Sequence, residues 1–86
     1  MARVFIPPNL KDVFDQDFIE VEASSVRGVI QSLDELHAGV AVRLCDDNGL
    51  KPGISVSIDG KITSLGLYQK LSPDSEVHFI PSIGGG

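Results

Sequence analysis

Polar and apolar positions change period several times along this chain, and each change marks an element. Residues 2–6 are a mostly apolar run closed by Pro7-Pro8. Proline has no N–H to give a ladder, so a strand should end there. Residues 9–16 are polar with turn character, and Leu10, Val13 and Phe14 are the ones that can fold back onto a core. From Asp17 to Glu22 the chain alternates, with Ile19 and Val21 on one side and Glu20 and Glu22 on the other. That is the period of a half-buried strand, and two strands joined by a loop read as a hairpin. Ser24-Ser25 supplies a helix N-cap. Beyond it Val26, Val29, Ile30, Leu33 and Leu36 recur at helical spacing, with Arg27, Gln31, Asp34 and Glu35 on the outer side. Gly39, just past the last apolar position, reads as a left-handed C-terminal cap. Gly28 costs the helix up to about 1 kcal/mol relative to alanine, which implies close packing of the helix against a sheet.

The second half is more broken. Residues 40–44 suit a short second helical turn. Asp46-Asp47-Asn48-Gly49 and Pro52-Gly53 are turn clusters. Residues 54–58 alternate cleanly, with Ile54, Val56 and Ile58 facing inward and Ser55 and Ser57 outward. Asp59-Gly60 is a tight-turn dipeptide, from which Lys61-Ile62 returns as a short strand. Leu65, Leu67 and Leu71 suggest an irregular or 3₁₀ segment beneath the sheet. Ser72-Pro73-Asp74 turns the chain into a last strand over residues 75–80, which Pro81 ends. The order predicts an α+β fold: a ubiquitin-like β-grasp, with a mixed four- to five-stranded sheet and one main helix packed on one face. The first and last strands pair in parallel at its centre. Residues 1–80 form the domain, and residues 81–86 form a flexible C-terminal tail.

Composition narrows the possible functions. A domain of 86 residues buries only about 60–65% of its unfolded surface, which leaves little room for a deep cleft. No apolar run approaches the ~20 residues of a membrane span. The first residues lack the charge and length of a signal peptide, so residence in the cytoplasm is expected. The single cysteine, Cys45, forbids an internal disulfide and suits a reducing compartment. A net charge of −5 weighs against binding nucleic acid and favours a basic surface on a protein partner.

Catalytic constellations are nearly absent. His37 ends the helix, where it suits the helix dipole, and His78 alternates with buried positions and faces solvent. Cys45 stands beside Asp46 and Asp47, which raise a thiol pKa rather than lower it. The Asp46-to-Gly49 stretch lacks the spacing and distal glutamate of a calcium loop and reads as a turn. The exception is the terminus, Gly84-Gly85-Gly86. Glycine is the costliest residue to order and adds nothing to a core. A backbone without Cβ atoms can, however, thread a narrow channel and carry a terminal carboxylate to a buried nucleotide site. Adenylation there turns a poor electrophile into an acyl phosphate anhydride, open to attack by sulfur or nitrogen.

The end of the chain, Val77-His78-Phe79-Ile80-Pro81-Ser82-Ile83-Gly84-Gly85-Gly86, resembles the ThiS/MoaD family of ubiquitin-like sulfur carriers. That family's pattern is an apolar strand, a proline, a few small or apolar residues and a terminal Gly-Gly. Asp59-Gly60 stands where the family has Asn-Gly, and Gly39-Val40-Ala41-Val42-Arg43-Leu44 is similar to its Gly-x-x-x-Arg-Leu stretch. Gly84 departs from the Ala or other small residue of many members. The resemblance implies a protein co-substrate rather than an enzyme. Its Gly86 carboxylate would be adenylated by a ubiquitin-activating-type enzyme and become a thiocarboxylate. ATP and magnesium would belong to that partner, with no cofactor on this chain. A sulfur donor and a downstream sulfur-accepting synthase complete the expected partners, with no nucleic acid and no membrane. Gly84 and Gly85 would thread the partner's channel. Ile80, Pro81 and Ile83 would set the tail's direction, and Phe18 and Glu20 would share the open sheet face with Ile80. Thiamine, molybdopterin and cysteine pathways all fit. A lysine-conjugating modifier, a small synthase subunit and a binding module without transfer remain alternatives.

Overall fold

The computed structural model describes residues 1–81. Five strands form one mixed sheet: β1 (Ala2–Phe5), β2 (Phe18–Val21), β5 (Ile54–Ile58), β6 (Lys61–Thr63) and β7 (Glu76–Pro81), in the order β2-β1-β7-β5-β6. Two further strands, β3 (Cys45–Asp46) and β4 (Gly49–Leu50), pair only with each other. The expected parallel pairing of first and last strands lies at the centre, with Val4 opposite Val77 and Phe5 opposite His78. The other contacts in the large sheet are antiparallel.

One main helix, α1 (Val26–Leu36), lies on one face. Ser25 caps it by accepting the Gly28 N–H at 3.2 Å. Val26, Val29, Ile30 and Leu33 are buried against Val4, Val56, Val77 and Phe79 in a single core cluster. Leu10 and Phe14 fold back into that core, and Val13 packs against it. Leu36, assigned to the same stripe by its spacing, is instead 61% exposed. Ten residues past Val26, at about 3.6 residues per turn, it has rotated to the rim of the stripe. Gly28 is also explained differently. A Cβ there would come within 3.3 Å of the Ala23 Cβ and 3.6 Å of the Ser25 Oγ, so the close neighbour is the segment entering the helix rather than the sheet.

Polar contacts organise the connections. α1 ends on His37, whose N–H bonds the Leu33 carbonyl. Gly39, at φ +104°, starts the second helix, α2 (Val40–Leu44), rather than capping the first. Asp34 bridges the two, its Oδ1 accepting from the Gly39 and Ala41 N–H groups at 3.0 Å each. The turn at Asp47-Asn48 is tighter than its sequence suggests, because β3 and β4 flank it as a two-residue hairpin. Asp59 and Gly60 both have positive φ, 53° and 88°, as a hairpin turn that follows the sheet's twist requires. Asp59 Oδ1 also accepts the Glu76 N–H at 2.9 Å, a task for which its carboxylate is suited. The sequence expectation for Ser57 fails in one respect. Its register places it on the open face between His78 and Ile62, yet those neighbours cover it and it is buried.

The loop between β1 and β2 is clamped to α2. Arg43 Nη1 and Nη2 donate to Asp12 Oδ1 and Oδ2 at 2.7 and 2.9 Å, and Nη1 also donates to the Asn9 carbonyl at 3.0 Å. The Arg43 hydrogen bond is the main reason that the Asp12 carboxyl titrates below its ordinary range. A carboxyl depressed in the folded state stabilises the fold above its unfolded value, and that contribution is lost as pH falls through the folded value. Both side chains are exposed, so the effect is small. Asp12→Asn should lower the Tm modestly at neutral pH, and the difference from wild type should vanish in strong acid. Thermal melts across pH would check this, and a gap that widened toward acid would contradict it.

Candidate functional site

β7 carries the site because it leads to the C-terminus. It lies between β1 and β5, the most sheltered place in the sheet. Val77 and Phe79 anchor it in the core, while His78 and Ile80 alternate onto the opposite face. The strand ends on Pro81, which it takes in as its last residue, one past the expected Ile80. The β5 ladder pairs Ile80 with Ser55 and finishes with Pro81 opposite Ile54. The pairing of β7 with β1 stops at Phe5 and His78, so the proline sits where one flank needs no donor. The remaining predicted tail residues, Ile83, Gly84, Gly85 and Gly86, lie outside the described residues.

The open face is more ordered than the sequence showed. Phe18 and Ile80 lie on it as expected, each 40% exposed. Between them Phe5 stacks on His78, with ring centres 4.2 Å apart and planes 7° from parallel. Phe18 packs on the other side of Phe5 at 5.6 Å. The Arg3 guanidinium lies 4.7 Å from the centre of the Phe18 ring, a cation–π contact, and its Nε is buried with no hydrogen-bond partner among the described residues. A row of π systems therefore crosses β2, β1 and β7. Sequence reasoning missed Arg3, Phe5 and His78 as its members. The signal was present in the alternation of residues 2–6, but it becomes readable only when the registers Phe5↔Phe18 and Phe5↔His78 are known. Glu20 stands opposite Arg3. Glu22, which the alternation placed beside it, lies beyond the end of β2.

The other candidate groups take structural roles. His37 is exposed at the end of α1, with Nδ1 3.3 Å from the Ala38 carbonyl and its ring edge-on to Phe14. Asp46 Oδ1 accepts the Asn48 N–H at 2.8 Å, which closes the β3–β4 turn. Burial pushes the Cys45 thiol up first, the Asp46 charge adds to this, and Lys51 opposes it. Among the described residues no cluster of three or more His, Cys, Asp or Glu is placed to hold a metal ion, and no helix is long and apolar enough to cross a membrane.

A five-stranded mixed sheet with parallel outer chain ends at its centre, one helix across it and a glycine tail beyond the central strand define a ubiquitin-like β-grasp protein. A model of the ThiS family matches residues 4–86, and the chain belongs to that family. Among curated proteins none matches. Solved structures with the same fold include CysO in the BexX/CysO complex of Amycolatopsis orientalis, at TM-score 0.89 and 24% identity over the whole of both chains. CysO of Mycobacterium tuberculosis aligns at TM-score 0.85 and 20% identity, covering 96% of this chain and 100% of that one. SAMP1 of Haloferax volcanii aligns at TM-score 0.78 and 19% identity, covering 99% and 98%.

A raised thiol pKa leaves little thiolate at neutral pH. Cys45 should therefore react with iodoacetamide more slowly than free cysteine at pH 7, measured as the rate of alkylation by intact mass. A faster rate would return Cys45 to the list of reactive groups.

Proposed function

We propose that this chain is a sulfur carrier and a protein co-substrate, not an enzyme in its own right. The observation that carries this is the ThiS family match, which runs through to Gly86, on a domain whose central strand leads directly into the glycine tail. The Gly86 carboxylate attacks the α-phosphorus of ATP in a ubiquitin-activating-type enzyme, which supplies the magnesium. Pyrophosphate leaves, and an acyl adenylate remains. Hydrosulfide, or a donor equivalent to it, attacks the carbonyl carbon, AMP leaves with the oxygen, and a proton is released. The thiocarboxylate sulfur then attacks an electrophilic carbon of an acceptor bound to a downstream synthase and displaces its leaving group. Hydrolysis of the resulting thioester restores the Gly86 carboxylate and leaves the sulfur on the acceptor as a thiol. Gly84 and Gly85 supply slim reach into the activating site, and Ile83 and Pro81 direct the tail. ATP-dependent activation and reduced sulfur are both cytoplasmic resources, so we place the protein there.

The open face supports docking of that enzyme. Phe18 and Ile80 are exposed apolar groups on the same side of the sheet as the strand that feeds the tail, and Glu20 adds a negative charge at its β2 edge. The CysO of Amycolatopsis orientalis was solved in complex with BexX, and a partner bound through the fold's surface is the arrangement we infer here.

Two outcomes test this. Incubation with the activating enzyme, ATP and sulfide should raise the intact mass by the difference between one sulfur and one oxygen atom, and deletion of Gly85 and Gly86, which removes the terminal Gly-Gly, should abolish the gain. A wild-type mass that never changes would sink the reading, whereas ladders of higher-mass conjugates in cells would move the protein to the modifier class. Glu20→Lys should slow association with the activating enzyme, with a larger effect at low salt than at high salt. Stopped-flow association at two ionic strengths reads this directly, and equal rates would remove Glu20 from the interface.

A further inference from the structure

The clamp made by Arg43 is linked through the backbone to the last residue pair between β5 and β7. Leu44, the residue after Arg43, accepts the Lys51 N–H at 2.9 Å through its carbonyl, and the Lys51 carbonyl accepts the Ile54 N–H at 3.1 Å. Ile54 is the register partner of Pro81, the last residue of β7. Arg43 itself holds Asn9 and Asp12. Pro7, Asn9, Leu44, Ile54 and Phe79 in turn line one narrow seam. The guanidinium therefore joins the β1–β2 loop to α2, and α2 joins the start of β5, which pairs with the end of β7.

This arrangement is more than local stability requires. Leu10, Phe14 and Leu44 are buried and already hold both segments to the core, and an exposed ion pair adds little to stability. What a planar, bidentate guanidinium adds is direction, because two parallel hydrogen bonds fix an angle as well as a distance. The third bond, to the Asn9 carbonyl, fixes the loop backbone as well as the Asp12 side chain. Beyond Phe5 the β1 flank of β7 has no ladder partner. Ile80 and Pro81 thus have ladder partners in β5 alone, and Ile54, the first residue of β5, is tied to α2 by the Leu44–Lys51–Ile54 relay.

We propose that Arg43 is a positioning residue for the C-terminal tail: by clamping Asn9 and Asp12 to α2 it fixes the Ile54–Pro81 end of the sheet and so the point and direction from which the tail starts. Arg43 is given no role at the carboxylate or the nucleotide. It acts through the backbone relay to Ile54. The inference rests on the sulfur-carrier reading only for its effect on catalysis. A tail launched from a wandering base reaches the activating site in the reactive geometry less often, which lowers turnover without weakening the docking of the sheet face. Displacements of about 1 Å far from the chemistry can cost up to about a hundredfold in rate.

The experiment pairs amide hydrogen exchange on the free protein with steady-state pyrophosphate release in the activating reaction. It compares wild type, Arg43→Gln, Arg43→Lys and the charge-swapped pair Asp12→Arg with Arg43→Asp. Exchange at Ile54, Ser55 and Ile80 should quicken about tenfold in Arg43→Gln, while Val4 and Val77 keep their protection, since local opening is separable from global unfolding. At a temperature well below the melting point, kcat should fall about tenfold and the KM for the carrier should stay within about twofold of wild type. The charge-swapped pair should recover more of both readouts than Arg43→Lys, which keeps the charge and loses the fork. Unchanged exchange at Ile54 and Ile80 would overturn the inference whatever the carrier does. Quickened exchange with wild-type kcat would overturn its catalytic half. If wild-type protein is never activated, the sulfur-carrier reading fails and the exchange data still decide whether Arg43 orders this end of the sheet.

Discussion

The structure depends on the parallel contact between its first and last strands. Val4 and Val77 face each other at the centre of the sheet, both buried under the stripe of α1, and the Arg3 N–H extends the contact to the Ser75 carbonyl at 2.8 Å. A parallel pair cannot be closed by a tight turn and needs a crossover. Here nearly the whole chain is the crossover. The entropic cost of closing so long a loop rises only slowly with its length, and burial of the helix-facing side of β1 and β7 offsets it. The consequence for function is that the C-terminal segment leaves from the central strand of the sheet, paired with β1 over residues 76–78 and with β5 over residues 77–81.

That central pair also divides the molecule into two sides with different tasks. Alternation along β1, β5 and β7 sends Val4, Val56, Val77 and Phe79 to the helix side, where they form a thin core. The same alternation sends Phe5, His78 and Ile80 to the other side, where no helix lies. On that side the aromatic rings cover one another and the stem of Arg3, so the face is apolar without being loose. The docking proposed for this face would need little rearrangement, which would limit the ordering cost of association.

The periphery is held by polar groups rather than by core. Asp34, Asp59 and Ser25 each accept backbone N–H groups at an element boundary, and the buried Ser75 accepts the Ser72 N–H in the turn before β7. In a chain of 86 residues the core is too small to dictate every connection. Short side chains that satisfy exposed backbone donors take over that task, and the Arg43 clamp is their long-range counterpart.

Local chemistry in the sequence determined the helix from Ser25, the strand over residues 54–58, the Asp59-Gly60 turn and the fold class, because each follows from periodicity or from the φ angles that few residues tolerate. The family was legible too, in the residues at the end of the chain, and the ThiS model matches residues 4–86. Tertiary structure alone decided the rest. The burial of Ser57, the exposure of Leu36 and the aromatic row through Phe5 and His78 depend on which strands become neighbours and in what register. The Arg43–Asp12 clamp joins residues 31 apart, beyond any local pattern. Inclusion of Pro81 as the last residue of β7 was hidden for the same reason: whether a proline can join a strand depends on whether a partner on that flank needs its N–H, and the β1 ladder has already stopped at His78.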